Sequence, residues 1–346
     1  MLLAGCSDPV VGVPNPLSAG PAVAAADGGA AVLPVLQRLP ATAATKTSII
    51  LVDAAALNTI AQRSGYADQQ QDSGGRPKSE MAWLDIVAVD NPCGTELDAT
   101  SGSLRSGVPG DSLAIELGAD DKSGYLAVCN GRVDSAKLAN SKLRGGTVTE
   151  RSVGPIKGYA VDGDWIGSSA DGGTAYLTKT DTPADLAQQA MTGPALADGS
   201  LAQDPGVRAV LDAAPHAAMI QMGTKLVASA SYSAPQQVQA AFEQAVAQGG
   251  FQEAPVPEFG GYSWSPDGRL TGTAAFVTRY GSAEEAATAA SIFTDVWKRL
   301  GVSKFDGAIT EQNGPTVITR LAGVGPKTFA IQSGVMGEYP GFLARK

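Results

Sequence analysis

Aligned with itself, the sequence repeats one order of residue patterns over roughly a hundred positions, and this near-duplication restricts the possible folds more than any other feature. Residues 124–190 and 224–290 are the two copies. Each opens on an apolar stretch, Tyr125-Leu126-Ala127-Val128 or Leu226-Val227-Ala228-Ser229-Ala230, that reads as a strand. Each continues into an amphipathic segment, 134–143 or 235–248; in the second, Val238, Phe242, Ala245 and Val246 recur at helical spacing. Both segments stop at a Gly-Gly, Gly145-Gly146 or Gly249-Gly250, which suits a left-handed helix cap. Gly158-Tyr159 and Gly261-Tyr262 then follow at nearly equal distance, and an Asp-Gly turn comes next, Asp162-Gly163 or Asp267-Gly268. The run Gly173-Thr174-Ala175-Tyr176-Leu177-Thr178-Lys179 matches Gly272-Thr273-Ala274-Ala275-Phe276-Val277-Thr278-Arg279, and its alternation marks a half-buried strand. A helix follows each; the second starts at the capping box Ser282-Ala283-Glu284-Glu285, ahead of Ala286, Ala290, Phe293 and Trp297.

Residues 217–222 and 317–321 read as strands that close the copies, the first after a helix begun by Asp204-Pro205. The order β-α-β-β-α-β is the split βαβ pattern. The expected fold is therefore α+β: two tandem βαββαβ (ferredoxin-like) repeats with antiparallel sheets and an N-terminal αβ extension. Pairing Tyr159 with Tyr262 and Tyr176 with Phe276 fixes the expected register, with both members of the second pair buried on equivalent strands. The extension holds a strand at Ser48–Val52, a helix at 54–62, a polar loop at 69–78 and an apolar stretch at 81–89 whose period is ambiguous. The expected organisation is 1–5 as the end of a signal peptide, 6–45 as a flexible tether, 46–222 and 223–322 as two αβ domains, and 323–346 as an irregular tail.

The tether reading comes from the N-terminus. Leu3-Ala4-Gly5-Cys6 resembles the bacterial lipobox, in which the signal peptide is cut before a cysteine that carries lipid. The charged segment and most of the apolar segment of a signal peptide are missing ahead of it, as expected if Met1 is a mis-called start inside the signal or if the sequence is trimmed. The stretch from Ser7 to about Thr45 is rich in Ala, Gly and Pro and almost free of charge, as a spacer would be, with room for a short helix at 32–39. No apolar run reaches membrane-spanning length, so attachment would be covalent, through Cys6. In an exported protein the remaining cysteines, Cys93 and Cys129, are expected to form a disulfide. The loop of 129 − 93 = 36 positions would stabilise the fold by roughly 4 kcal/mol in the chain-entropy picture.

Composition excludes some functions. Lys+Arg number 25 against 34 Asp+Glu, giving a net charge of −9 without basic clusters. Such a chain lacks the phosphate-neutralising groups that dominate nucleic-acid affinity. His216 is the single histidine; it follows Pro215 at the mouth of a strand with no nucleophile beside it, so a Ser-His-Asp or Cys-His device is not expected. Asp72-Ser73-Gly74-Gly75 resembles the nucleophile loop of trypsin-like proteases over four residues only and reads as a surface turn. Trp264-Ser265-Pro266-Asp267-Gly268-Arg269 occurs once, so it reads as a hairpin turn rather than as a propeller blade. Asp162, Asp164 and Asp171 would suit a weak calcium site, though acids in a Gly-rich stretch more often form turns. No phosphate-binding glycine loop is present. No cofactor, metal or catalytic residue is expected, and the chain reads as non-enzymatic.

The chain also resembles a family of uncharacterised actinobacterial surface lipoproteins with a lipobox, an Ala/Gly/Pro tether and two αβ halves. The resemblance lies in residues 107–222: Gly110-Asp111-Ser112-Leu113-Ala114-Ile115-Glu116-Leu117-Gly118, the strand at 125–132, the strand at Thr174, and Gly199-Ser200-Leu201-Ala202-Gln203-Asp204-Pro205 before a helix. It covers about a third of the chain and implies no activity; the Cys93/Cys129 pair is not part of it. The expected role is binding or scaffolding on the outer face of the cell membrane, with an envelope protein complex as the candidate partner. The alternative is a carrier of lipid or another apolar ligand.

Overall fold

Most of the alternating segments become strands, and every strand among the described residues joins one sheet. The structure, a computed structural model, describes residues 33–53, 56, 112–118, 124–130, 148–161, 163–169, 173–179, 182, 184–227, 236–266, 272–300 and 307–324. In chain order the elements are α1 (Leu33–Arg38), β1 (Ser48–Val52), β2 (Ser112–Leu117), β3 (Gly124–Asn130), β4 (Thr149–Val153), β5 (Ile156–Val161), β6 (Asp164–Ser168), β7 (Thr174–Lys179), α2 (Ala184–Thr192), α3 (Pro205–Ala213), β8 (Met219–Gly223), α4 (Gln236–Gln248), β9 (Phe259–Pro266), β10 (Gly272–Arg279), α5 (Ala283–Leu300), β11 (Ile309–Asn313) and β12 (Thr316–Val324).

The sheet has twelve strands in the order β11-β12-β10-β9-β8-β1-β2-β3-β7-β6-β5-β4, and its neighbours pair antiparallel. Antiparallel pairing needs only short connections, and the meanders β4–β7 and β11–β12 use them. Period-two alternation then divides each strand between two faces. On one face α4 and α5 cover Val52, Ala218, Tyr262, Trp264, Ala274, Phe276, Val317 and Leu321. On the other, α1, α2 and α3 cover Ile49, Leu51, Leu113, Ile115, Leu126, Val128, Trp165, Tyr176 and Ile220.

This architecture overturns the expected pair of tandem ferredoxin-like repeats. β7 and β10, the matched Gly-Thr-Ala strands, have different neighbours: β7 lies between β3 and β6, β10 between β9 and β12. Tyr159 stands on β5, which does not touch β7, whereas Tyr262 stands opposite Phe276 on β9. Tyr176 and Phe276 are both buried, but they point to opposite faces of the sheet. The supposed closing strand of the first copy, β8, pairs with β1 and β9 and never reaches β7. The boundary drawn at 222/223 falls inside β8, and one sheet runs through both expected domains. Leu226 and Val227 lie in a helical turn at 224–227, not in a strand. The physical reason is hydrogen-bond closure. A strand inside a sheet pairs along both edges, and the extra hairpin strand β6 takes the edge of β7 that the alignment assigned to β5.

Local signals fare better. Asp204 accepts hydrogen bonds from the backbone N–H groups of Gly206 and Val207 at 2.8 and 3.2 Å, capping α3 ahead of Pro205. Ser282 and Glu285 form the reciprocal capping box of α5: Glu285 N–H donates to Ser282 Oγ at 3.1 Å, and Ser282 N–H to Glu285 Oε2 at 3.0 Å. Residues 33–45 belong to the folded body rather than to a free tether. Leu36 and Leu39 are fully buried, Arg38 donates to the carbonyls of Ala190 and Met191 that end α2, and Lys46 pairs with Asp204 at 3.0 Å.

Two tryptophans brace the sheet. Trp264 on β9 crosses Gly272 of β10 and donates its indole N–H to the Val324 carbonyl on β12 at 2.9 Å. Trp165 on β6 crosses Gly158 of β5 and donates to the Arg151 carbonyl on β4, also at 2.9 Å. A Cβ on Gly158 would stand 2.6 Å from the Trp165 ring, and one on Gly272 would stand 2.7 Å from Trp264, so only glycine lets each ring lie flat across its neighbour.

Candidate functional site

The helix layer over β8–β12 carries a concavity whose lining lies wholly among the described residues. α4 ends as its Gly-Gly requires: Gly250 takes φ 71°, and Phe251 N–H reaches back to the Val246 carbonyl at 3.2 Å. This turn folds the Phe251 ring back against the helix end, where a Cβ on Gly249 would clash with it. Between that end of α4 and the outer side of α5 lies an open cleft of about 550 Å³. Ala245, Gln248 and Phe251 line one wall, and Ala290, Ser291, Thr294, Asp295 and Lys298 the other. Arg299 closes it by donating to Asp295 Oδ2 at 2.6–2.7 Å and to Gln248 Oε1 at 2.5 Å. The cleft offers amide, hydroxyl and charged groups around one aromatic ring. That set makes contacts to a polar surface; it contains no paired nucleophile and base.

The residues singled out by sequence do not converge on this cleft. Cys129 lies on β3, fully buried, on the side of the sheet opposite α1–α3. Cys6 and Cys93 lie outside the described residues, as do Asp72, Ser73, Asp162 and Asp171. His216 is exposed in the turn between α3 and β8. Asp164 is engaged by protein groups: Tyr125 donates to its Oδ1 at 3.3 Å, and Lys179 Nζ lies 3.6 Å from the same oxygen and 5.6 Å from the centre of the Tyr125 ring. Among the described residues, no group of three or more His, Cys, Asp and Glu is placed to hold a metal ion. Tyr280, at the end of β10, has its phenol pushed well above the usual tyrosine range by burial. Sequence reasoning missed the cleft because its walls come from residues some fifty positions apart; the Gly-Gly stop that shapes it was the only local signal.

No protein-family model and no curated protein matches the sequence. Among solved structures, the chain is similar to crystal forms of TP0453. Form III shares 11% sequence identity at a TM-score of 0.46, over 87% of this chain and 98% of that one. Form I shares 10% at 0.43, over 85% and 94%.

Proposed function

We propose that the protein is a non-enzymatic extracytoplasmic lipoprotein, held at the outer face of the cell membrane through lipid on Cys6, with a binding or scaffolding role in the envelope. The observation that carries this reading is Leu3-Ala4-Gly5-Cys6 followed by an Ala-, Gly- and Pro-rich, nearly uncharged stretch. The resemblance to actinobacterial surface lipoproteins supports it. The α4–α5 cleft, open and lined by both polar and apolar groups, suits a protein contact better than an enclosed apolar ligand.

The test is membrane partition. Expressed with a complete signal sequence in an exporting bacterium, the wild type is expected in the membrane fraction and Cys6→Ala in the soluble fraction; equal partition of the two refutes the anchor. In the same compartment Cys93 and Cys129 are proposed to be disulfide-bonded. Mass spectrometry of the unreduced protein should yield one cross-linked peptide pair, and two separately alkylated thiols would refute the bridge.

A further inference from the structure

α5 carries two charges that the fold leaves uncommitted. Glu285 is used in the capping box, and Arg299 is held by Asp295 and Gln248. Glu284 in the first turn and Lys298 in the last are exposed and form no ion pair or hydrogen bond among the described residues. They are 298 − 284 = 14 positions apart, close to four full turns, and so share one face about 21 Å apart. Between them on that face lie Ala287, Ser291 and Thr294, at the three- and four-residue spacing of a helix–helix seam. Ser291, Thr294 and Lys298 also line the cleft beside α4.

The two charges and Ser291 match themselves when the helix is reversed, while Ala287 then comes opposite Asp295 and Thr294 opposite Thr288. Ser291 is the midpoint, since 284 + 298 = 2 × 291. A twofold axis through Ser291 sets Glu284 of each copy against Lys298 of the other and Ser291 against Ser291. An isologous contact requires this kind of self-matching surface. The helix dipole accounts for an acid at the first turn and a base at the last. It does not account for their shared face, for the small residues between them, or for both being left unpaired while their neighbours Glu285 and Arg299 are paired.

We propose that the outer face of α5, with the adjoining cleft, is the interface of a homodimer in which two α5 helices pack antiparallel about Ser291. Small side chains let the helices approach closely, and the two equivalent Glu284–Lys298 pairs set direction and register. The assignment stands on the helix alone and holds whether or not Cys6 is lipidated.

Sedimentation equilibrium of the full 346-residue chain, made without lipid, tests it. The wild type is expected to dimerise reversibly. Glu284→Lys and Lys298→Glu each set like charges together twice per dimer, and each should weaken association about tenfold or more. The double variant E284K/K298E restores the pairing and should recover it. Ser291→Cys in a Cys6→Ala background should give a disulfide-linked dimer under mild oxidation, and Gln236→Cys in the same background should not. A wild type that stays monomeric up to about 1 mM overturns the proposal. So do single variants that associate like the wild type, or a double variant that is folded by circular dichroism and fails to recover.

Discussion

β7 and β10 are nearly the same peptide in two different places. Both carry a Gly-Thr-Ala at their start, both end on a basic residue, Lys179 or Arg279, and both hold a buried aromatic three residues before that end. Yet Tyr176 packs under α1–α3 and Phe276 under α4–α5. β7 has the hairpin strand β6 on one side and β3, from much earlier in the chain, on the other; β10 has β9 and β12. Alternation makes a strand, but it does not say which edge is filled by which partner. A second likeness between the two regions does survive in three dimensions. Trp165 and Trp264 each lie over a glycine of the next strand and bond a carbonyl one strand further on. The sheet is braced in the same way near both ends although its connections differ.

Whether the two braces are equivalent can be measured. Both rings are almost fully buried, so Trp264→Ala and Trp165→Ala should each cost about 3–5 kcal/mol in urea unfolding. Trp264 sits between the sheet and two helices, and its variant should broaden or abolish the single transition. Trp165 braces the strand at the sheet's end, and its variant should first expose the amides of β4 and β5 to hydrogen exchange. Identical exchange patterns for the two variants would erase the distinction.

The helix caps sharpen the comparison at smaller scale. Asp204→Ala removes both the cap of α3 and the partner of Lys46, and should cost about 2 kcal/mol. Ser282→Ala removes an exposed cap of α5 and should cost about 1 kcal/mol. Equal losses would mean that the Lys46 pair contributes nothing to joining the N-terminal segment to the first helix layer. The smallest effect expected is a gain. Ser263 on β9 is fully buried, and its hydroxyl has no hydrogen-bond partner among the described residues. Ser263→Ala should raise the denaturation midpoint, by about 1 kcal/mol in stability; a loss of stability would point to a bound water there.

Much of the local structure was legible before any coordinates. Ser48–Val52 is a strand over the expected residues, Asp204-Pro205 starts a helix, Ser282 and Glu285 form the capping box, and Gly249-Gly250 stops α4. Each of these signals acts within about five residues, where backbone sterics and one or two hydrogen bonds decide the outcome. The cleft was not legible, because it needs α4 and α5 to be neighbours. The Trp–Gly–carbonyl braces were not legible either: nothing in the chain marks Gly158 as the partner of Trp165 rather than of any other aromatic.

The sequence by itself marked β1, β7 and β10 as strands, the starts of α3 and α5 and the end of α4, and showed an acidic chain with a lipobox-like tetrapeptide at residues 3–6. Only the tertiary structure decided that the strands form one twelve-stranded sheet rather than two small ones, and which face each aromatic takes. The reason is that propensity, capping and alternation are properties of a few consecutive residues, whereas strand order depends on which distant edges pair and on covering both faces at once. β6 takes one edge of β7, and β1 and β2 come between β3 and β8, without changing the local pattern of any of these strands.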